Sequence, residues 1–354
     1  KEAMKTKTFV LTTILFLLSV STWAIEEVKR TISKEFSVSA NDEIIVINKY
    51  GNLTISEWGK NKVSFTVEIT GRGEKAQVAQ ELADRVSVNF NKNGKKISAE
   101  TIFQEKNFNC NNCGTSVNYT INVPTDVYLN LTNKYGNIAL NRTDRSFLCN
   151  LKYGNLTANQ LSGESNTIAV KYGNVSLEET RELDLEIKYG NLTLGKVETL
   201  KFTSGYSNSK IGSVDKLELT SKYDNFKIKN LDRLKMTIGY SNFEIGELKE
   251  SFIVSDMRYG NLKINKIDTD FDEINIEASY TPIRLGITPQ HNFQVKLYNR
   301  YGNIKTNGLT FHNVKLEDEN DRFTKNITGI AGSSSSPKAK ITISNRYADI
   351  IFEK

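Results

Sequence analysis

The chain has 354 residues, a formal net charge of +6, 25% charged residues, three cysteines and two histidines. So small a basic excess argues against a nucleic-acid-binding protein, and two histidines supply little for histidine-based catalysis or metal binding. The length alone would suit two domains, although a protein that grows by repetition along one axis escapes that expectation. We therefore expect no cofactor, no metal site and no nucleic-acid partner.

The first 24 residues have the pattern of a secretory signal peptide. Lys5 and Lys7 precede an apolar run over residues 9–20, and small residues lead to Ala24. Residues 1–3 lie before Met4 and are interpreted as an upstream extension. The run is too short to span a membrane. We predict cleavage after Ala24, which removes three lysines and one glutamate and lowers the net charge to +4. The exported chain would have no spanning segment and would lie in the periplasm, at the cell surface or outside the cell.

Residues 25–125 predict a first coil and a decorated cap. After a coil around Tyr50, the pattern indicates a strand over residues 62–70 and an amphipathic helix over 74–85. A hairpin over 86–102 turns at Asn93-Gly94, and a strand follows over 116–123. An uncovered end of a repeat stack exposes apolar residues and unpaired strand edges. We expect this segment to cap the stack rather than to form an independent domain.

Residues 126–354 repeat one tripeptide, Tyr-Gly-Asn or a close relative. From Tyr135 to Tyr259 the steps are 17 to 19 residues long, and asparagine stands two positions after the tyrosine in ten of the twelve repeats. The repeated tyrosines are Tyr50, Tyr135, Tyr153, Tyr172, Tyr189, Tyr206, Tyr223, Tyr240, Tyr259, Tyr280, Tyr301 and Tyr347. Self-similarity at a fixed period indicates units that pack only on their neighbours.

Apolar residues recur six and four positions before each tyrosine and three, five and eight positions after it. The spacing of two is that of a strand with one face inward. The two columns before the tyrosine have one polar exception each, Asn166 and Ser255. The inward parity changes across the tripeptide, so the chain must bend there, and we assign the bend to the permissive glycine backbone. Those glycines include Gly136, Gly154, Gly173, Gly190 and Gly260.

Units of 17–21 residues with two or three short strands are too short for propeller blades and too strand-like for helical repeats. The predicted fold is all-β, a parallel β-helix (β-solenoid) of about 12 coils, with strands roughly 4.8 Å apart. Identical side chains would stack in ladders, and structural stacking is their expected role. The ladder residues include Tyr153, Tyr172, Tyr189, Asn155, Asn174 and Asn191.

A loop insertion near residues 310–340 interrupts the solenoid. It holds an acidic run at 317–321 and a flexible Gly-Ser-rich stretch at 332–337, and residues 341–352 read as the final coil.

A cation directly precedes the tyrosine in nine of the twelve repeats. Stacked at about 4.8 Å, such charges repel by somewhat under 1 kcal/mol per pair in water. Two interpretations stay open: a solvated edge that discourages sheet association, and a groove for an anionic polymer such as an acidic polysaccharide or lipopolysaccharide core. The binding residues under the second interpretation are Lys134, Lys152, Lys171, Lys188, Lys222, Arg258 and Arg300.

Cys110 and Cys113 form Cys-Asn-Asn-Cys, which in an exported protein predicts a disulfide across a small loop. A redox motif of this spacing normally opens a helix in an α/β context, and zinc would need two more ligands. Cys149 lies in an inward column and is expected to be a core residue.

One group of aspartates and one single aspartate are weak candidates for chemistry. The aspartates at 268, 270 and 272 resemble a calcium loop, but Glu273 replaces the required glycine and Ser279 stands where a bidentate glutamate is needed. We interpret them as a solvated turn. Asp224 is the only acid at the glycine position of the regular repeats.

The signal peptide, the decorated first coil, Val-Pro-Thr-Asp at 123–126 and the repeated Gly-Asn-Leu/Ile/Val together resemble a known family. From about residue 40 to 354 the chain is similar to secreted bacterial adhesin-head proteins, which are GIN-domain-like, of Bacteroidetes type and without assigned function. The resemblance implies a right-handed parallel β-helix in the cell envelope or at the surface, without known catalysis.

Three functions follow as hypotheses. The first is a non-enzymatic exported β-solenoid, adhesin-like or scaffolding, that presents a repetitive surface to an envelope or extracellular partner such as an anionic polysaccharide. The second is a polysaccharide lyase or hydrolase, because parallel β-helices host such sites. That interpretation needs clustered acids, or a basic residue beside a calcium site, on adjacent coils, and Asp224 stands alone. The third is a purely structural envelope protein.

Overall fold

The computed structural model describes residues 25–104, 110, 112–315 and 322–353. The predicted signal peptide and the acidic run at 317–321 lie outside the described residues. The structure is 70% strand and 3% helix and forms a β-solenoid, which confirms the predicted fold class. The solenoid has about 8 turns, so the prediction of about 12 coils is wrong.

The N-terminal region combines a first turn with antiparallel strands and one helix. Its elements are β1 (Glu26–Ser37), β2 (Glu43–Lys49), β3 (Leu53–Glu57), β4 (Lys62–Gly73), α1 (Ala76–Asp84), β5 (Val86–Asn93), β6 (Lys96–Phe103) and β7 (Gly114–Val123). β6 and β7 pair in parallel with β2 and β3. Antiparallel pairs extend these strands: β4 pairs with β7, β1 pairs with β4, and β5 pairs with β6. Apolar residues of the first turn are therefore covered on the side away from the later repeats.

Residues 128–286 form the regular rod. Its strands are β8 (Tyr128–Lys134), β9 (Ile138–Thr143), β10 (Phe147–Lys152), β11 (Leu156–Leu161), β12 (Asn166–Lys171), β13 (Val175–Lys188), β14 (Asn191–Gly205), β15 (Asn208–Lys222), β16 (Asn225–Gly239), β17 (Asn242–Arg258), β18 (Asn261–Ile267), β19 (Glu273–Ser279) and β20 (Ile283–Gly286). β14 and β15, for example, pair in parallel from Asn191–Asn208 to Gly205–Lys222. Equivalent positions of successive repeats therefore lie on top of one another.

The inward columns form one continuous apolar core. The polar exception Asn166 is 1% exposed and is satisfied by hydrogen bonds. Its Nδ2 donates to the carbonyl oxygens of Gly163 and Glu182, and its Oδ1 accepts from the N–H of Phe147. A buried asparagine costs little when its amide is paired in this way.

The second exception, Ser255, does not face the core. The pairing of β16 with β17 shifts register after Leu231 and after Met236. The shift turns Phe252 and Val254 inward and leaves Ser255 exposed. The inward assignment of Ser255 is therefore wrong; the longer step from Tyr240 to Tyr259 was the sequence signal for the irregularity.

The bend of each repeat lies at the tyrosine and not at the glycine. All twelve repeated tyrosines have a positive φ, between 53° and 65°, whereas the glycines that follow them do not. The assignment of the bend to glycine is wrong. Glycine is required for space instead, because a Cβ on Gly173 would lie 1.7 Å from the carbonyl oxygen of Gly154 in the preceding turn.

The C-terminal strands are not stacked in chain order. They are β21 (Phe293–Arg300), β22 (Ile304–Lys305), β23 (Phe311–Lys315), β24 (Thr324–Ala331), β25 (Lys340–Arg346) and β26 (Ile350–Glu353). β25 pairs in parallel with β19 on one side and β21 on the other, and β26 lies in the same way between β20 and β22. The end of the chain is thus inserted between two turns that precede it in sequence. β24 and β23 then extend β21 as antiparallel strands.

The tyrosines follow the chain order along most of the solenoid. One tyrosine per turn holds from Tyr135 to Tyr280, which is eight steps along the sequence. Tyr50 stacks on Tyr135 although the N-terminal antiparallel strands separate the two in sequence, and Tyr301 and Tyr347 stack in reversed order.

Candidate ligand-binding surface

The twelve tyrosines form one uninterrupted stack, which we call the tyrosine ladder. Its order runs from Tyr50 through Tyr135 to Tyr280, then to Tyr347 and finally Tyr301. Successive ring centroids are 4.6 to 5.3 Å apart and the planes differ by 2° to 24°. Phe103 packs edge-on against Tyr50, and Phe323 packs tilted against Tyr301. Each end of the ladder is therefore covered by a phenylalanine.

The stacking decides what the ladder can offer to a ligand. Each tyrosine is 38% to 55% exposed, but the faces of its ring lie against its neighbours, so the exposed part of the ring consists of its edge and the phenol hydroxyl. A sugar or a nucleobase that binds an aromatic side chain by stacking needs a free ring face. The ladder does not provide that face, and it offers a row of hydroxyls instead.

A second row, the asparagine ladder, runs beside the tyrosines two positions later in each repeat. From Asn174 to Asn261 each amide Nδ2 donates to the Oδ1 of the preceding rung at 2.8 to 3.2 Å. At the earlier rungs the backbone N–H of the asparagine also donates to that Oδ1, as from Asn155 to Asn137. These bonds hold the amides in one orientation along the surface.

The tyrosine and asparagine ladders border a shallow groove of about 780 Å³ along the first half of the rod. Its floor is the glycine column, where Gly154, Gly173 and Gly190 leave no space for a side chain. The groove ends at Tyr206 and Asn208. The predicted ladder residues are therefore brought together on one face, and that face is also a concave surface.

The predicted basic residues border the tyrosine ladder and make two kinds of contact, with tyrosine rings and with acidic side chains. The cations of Lys134, Lys152 and Lys222 lie 4.9, 5.1 and 5.3 Å from the ring centroid of the following tyrosine, and Arg300 lies 4.9 Å from that of Tyr301. Such cation–π contacts hold a charge over the ladder without neutralising it.

Other members of the column have acidic partners. Lys188 and Lys171 approach Glu186 at 2.9 and 3.9 Å, and Arg258 contacts Asp256 at 2.9 Å. The hydrogen bond from Lys188 lowers the pKa of Glu186, and the same bond raises the pKa of Lys188. The column consequently carries its excess positive charge at the rungs of Lys134, Lys152 and Lys222.

Sequence reasoning missed a second row of cations. Four positions after the tyrosine, the first half of the rod carries small residues and the second half carries Lys210, Lys227, Lys263 and Arg284, with Glu244 among them. They line a groove of about 660 Å³ on the other side of the asparagine ladder. The signal in the sequence was a lysine two residues after the repeated asparagine.

Three predicted features lie away from this face. Cys110 and Cys113 are joined by a disulfide. Cys149 is fully buried, and burial raises the pKa of its thiol to about 12. His291 is also buried, with its Nε2 2.9 Å from the carbonyl oxygen of Ile267. In the part of the chain that the structure describes, no three His, Cys, Asp or Glu side chains are grouped as metal ligands.

Asp224 lies inside the rod at the glycine position of its repeat and is 1% exposed. Its Oδ1 accepts from the N–H of Ser207 at 2.6 Å, its Oδ2 accepts from the hydroxyl of Ser221 at 2.5 Å, and its N–H donates to Ser241. Burial raises the pKa of this carboxyl, although the hydrogen bond from Ser221 opposes the effect. The carboxylate cannot meet a polymer at the surface.

The fold and this face define a β-solenoid repeat protein with a long polar and cationic groove. No family model matches the sequence, and no curated protein matches it. Among the helices that the structure describes, none is both long and apolar enough to cross a membrane.

Several solved structures are similar. A putative adhesin from Bacteroides fragilis NCTC 9343 is 13% identical, with 67% of this chain and 97% of that chain covered and a TM-score of 0.41. A putative adhesin from Parabacteroides merdae ATCC 43184 is 8% identical, with 72% and 95% covered and a TM-score of 0.38. A putative lipid binding protein from Parabacteroides distasonis ATCC 8503 is 13% identical, with 67% and 92% covered and a TM-score of 0.32. At these scores the similarities carry no argument about what this chain does.

Proposed function

We propose that this protein is an exported, non-enzymatic, adhesin-like binding protein whose grooved face holds an anionic polysaccharide or another component of a cell envelope or surface. The observation that carries the proposal is the groove lined by the tyrosine and asparagine ladders, together with the cations of Lys134 and Lys152, which lie over rings of the tyrosine ladder. A row of fixed amides and hydroxyls beside unneutralised cations is chemistry that suits carboxylate or phosphate groups on an extended polymer.

The proposal includes the place and the ends of the molecule. The signal-peptide pattern and the resemblance to adhesin-head proteins support export to the periplasm, the cell surface or the exterior. The antiparallel strands of residues 25–125 would cap the solenoid of residues 126–354, because they cover its first turn. In this proposal the ligand binds to the repeated face. The cap and the C-terminal strands cover the two ends of the solenoid, so that further strands do not pair there.

The alternative of a lyase or hydrolase has less support. Hydrolysis of a glycosidic bond uses two carboxyl groups that flank the scissile bond at the surface. Asp224, the acid closest to the ladders in sequence, is buried and bonded to serines. A turnover assay with acidic polysaccharides tests this alternative directly, because any specific product would contradict the non-enzymatic proposal.

The test of the proposed function is a glycan and lipopolysaccharide array with protein purified after expression of the full chain. It is run at low and at physiological salt, beside a variant with Lys134, Lys152, Lys171 and Lys188 changed to glutamine. We expect binding that weakens with salt and is reduced in the variant. Equal binding by both proteins, or none, would leave a structural scaffold as the better account.

A further inference from the structure

The two grooves on this face form one path. The groove beside the tyrosine ladder runs from Asn137 to Asn208, and the groove on the other side of the asparagine ladder begins at Asn208 and runs to Arg284. Asn208 lines both. A ligand that follows the concave surface along the rod must therefore cross the asparagine ladder at this rung.

Most of the cations change sides at the same rung. Before Tyr206 each repeat from Tyr135 carries a lysine directly before the tyrosine. From Tyr206 to Tyr280, three of these positions are Gly205, Gly239 and Ser279; Lys222 and Arg258 remain, and Arg258 contacts Asp256. In the same half of the rod further cations appear four positions after the tyrosine, whereas the corresponding earlier positions carry small residues. Most of the positive charge therefore follows the path of the grooves.

We infer that one linear acidic polysaccharide binds along this path, which we call the diagonal band. The band consists of Lys134, Lys152, Lys171 and Lys188 before the crossing and Lys210, Lys227, Lys263 and Arg284 after it. The inference rests on the proposed function and adds a second set of binding residues. It also gives the ligand a direction across the face.

The contacts of the second set favour a polyanion. Lys227 has a distant acidic neighbour, Glu244, at 3.8 Å, and Arg284 contacts Glu353 at 3.3 Å. Lys210 and Lys227 are exposed, and Lys263 is half-buried against the groove. The amides of the asparagine ladder lie between the two sets of cations, where they can bond to hydroxyls of a sugar chain.

A polysaccharide fits better than a single-stranded nucleic acid for two reasons. Proteins that bind single strands stack bases on free aromatic faces, and every face of the tyrosine ladder is covered. In addition, the rungs of the ladder repeat about every 4.9 Å, which is close to the advance of one sugar ring in an extended polysaccharide. A hexuronate chain can therefore keep step with the rungs over on the order of 40 Å, and its carboxylates can reach cations on either side of the asparagine ladder.

The experiment measures binding of oligogalacturonates of increasing length to the full protein, with single-stranded DNA of matched charge as the competitor. One variant removes the first set (Lys134, Lys152, Lys171 and Lys188 to glutamine), and another removes part of the second set (Lys210, Lys227 and Lys263 to glutamine). The control variant changes Lys196, Lys216 and Lys235 to glutamine, which are exposed lysines outside the band.

For the wild type we expect affinity to rise with oligomer length until the chain spans both halves of the rod. The second-set variant should lose about fivefold in affinity for each lysine removed at low salt and about one unit of salt slope for each. Its gain from long oligomers over short ones should also disappear. The control should bind as the wild type does.

Two results would overturn the inference while leaving the proposed function intact: unchanged binding by the second-set variant when the first-set variant is impaired, or tighter binding of DNA than of oligogalacturonate. Absence of binding to any acidic glycan by the wild type would overturn the proposed function as well.

Discussion

At the scale of the residue, the tyrosine that marks each repeat has two opposed effects on stability. Its left-handed backbone costs roughly 1–2 kcal/mol relative to an ordinary conformation. Its ring stacks on two neighbours at about 4.9 Å, and aromatic pairs contribute about 0.5–1.5 kcal/mol each beyond their buried area. The repeat therefore keeps a strained residue at its corner because the stack offsets the strain.

This balance predicts an unusual order of substitutions at Tyr172. Both alanine and glycine remove the stacking, but alanine keeps the left-handed strain and glycine relieves it. Tyr172→Gly should be more stable than Tyr172→Ala by about 1 kcal/mol, measured by urea unfolding. At Thr157, an exposed strand position, the order should be reversed. The same order at both positions would contradict the role assigned to the tyrosine backbone.

Asp224 gives the second prediction at this scale. Burial raises the pKa of its carboxyl above the ordinary value of 3.8. Below that value the group is protonated in both the folded and the unfolded state, so folding carries no penalty. As the pH rises toward the folded pKa, the unfolded state ionises first and stability is lost. Wild-type protein should therefore lose stability over this interval relative to Asp224→Asn.

The measurement is the free energy of unfolding of both proteins at pH 3.5 and pH 7. Asparagine can accept from the N–H of Ser207 and donate to Ser221, so the hydrogen bonds survive. The variant should be the more stable protein at neutral pH, with the difference absent at acid pH. A difference that does not change with pH would contradict the assignment, and Asp215→Asn, at an exposed site, serves as the control.

At the scale of the element, the C-terminal strands act as a clasp. β25 and β26 have parallel partners on both sides, so their backbone groups are satisfied by two turns at once. The Gly-Ser-rich stretch at 332–337 leads into them. β25 and β26 are held in place by strand pairing and by the stacked ring of Tyr347. We therefore expect them to stay bound without the covalent connection through the Gly-Ser-rich stretch.

We predict that cutting the chain within residues 333–336, through an engineered protease site, leaves residues 337–354 bound in native buffer. The cut fragment should elute with the body of the protein in gel filtration and separate only in denaturant. Tyr347→Ala combined with the cut should release it more readily. Loss of the fragment on cleavage of the otherwise unchanged protein would show that the clasp does not hold by pairing.

At the scale of the whole molecule, the glycine column joins one half of the rod to the other. In a stack where each repeat contacts only its neighbours, a weak central interface divides the unfolding reaction. A Cβ on Gly190 would lie 1.8 Å from the carbonyl oxygen of Gly173, so Gly190→Ala should cost on the order of 3 kcal/mol.

Hydrogen exchange resolved along the chain should then show the two halves of Gly190→Ala opening at different denaturant concentrations, whereas the wild type opens more uniformly. Ser207→Ala is the matched control, because position 207 already accommodates a Cβ and the change removes one hydroxyl, worth about 1 kcal/mol. Uniform opening in Gly190→Ala would contradict the proposal that the glycine column couples the unfolding of the two halves of the rod.

Much of the architecture could be predicted from the period alone. A fixed step between tyrosines and strand-like columns leave few folds open, and the N-terminal hairpin at Asn93-Gly94 formed where its turn residues placed it. The positive φ of tyrosine could not be predicted, because residue preferences assign that region to glycine and asparagine. The insertion of β25 between β19 and β21 could not be predicted either, because the stacking order depends on which strand edge is open when the last strands pair.

The candidate surface was predicted only in part. The sequence pointed to a cation before nine of the twelve tyrosines. It does not show that Lys188 and Arg258 contact carboxylates while Lys134 lies over a tyrosine ring. It also does not show that the tyrosine faces are covered. Both facts depend on neighbours from other turns, which the single repeat does not contain.

Phe103 and Phe323 limit the length of the tyrosine ladder. Stacked aromatic rings on a parallel sheet are a template that another copy could extend without limit, as happens in fibrils. Here the first and last rings each meet a phenylalanine that arrives from an antiparallel strand or a loop, at an angle that no further tyrosine could continue. The chain can therefore carry the stacked surface of a filament while its own ladder ends at a phenylalanine on each side.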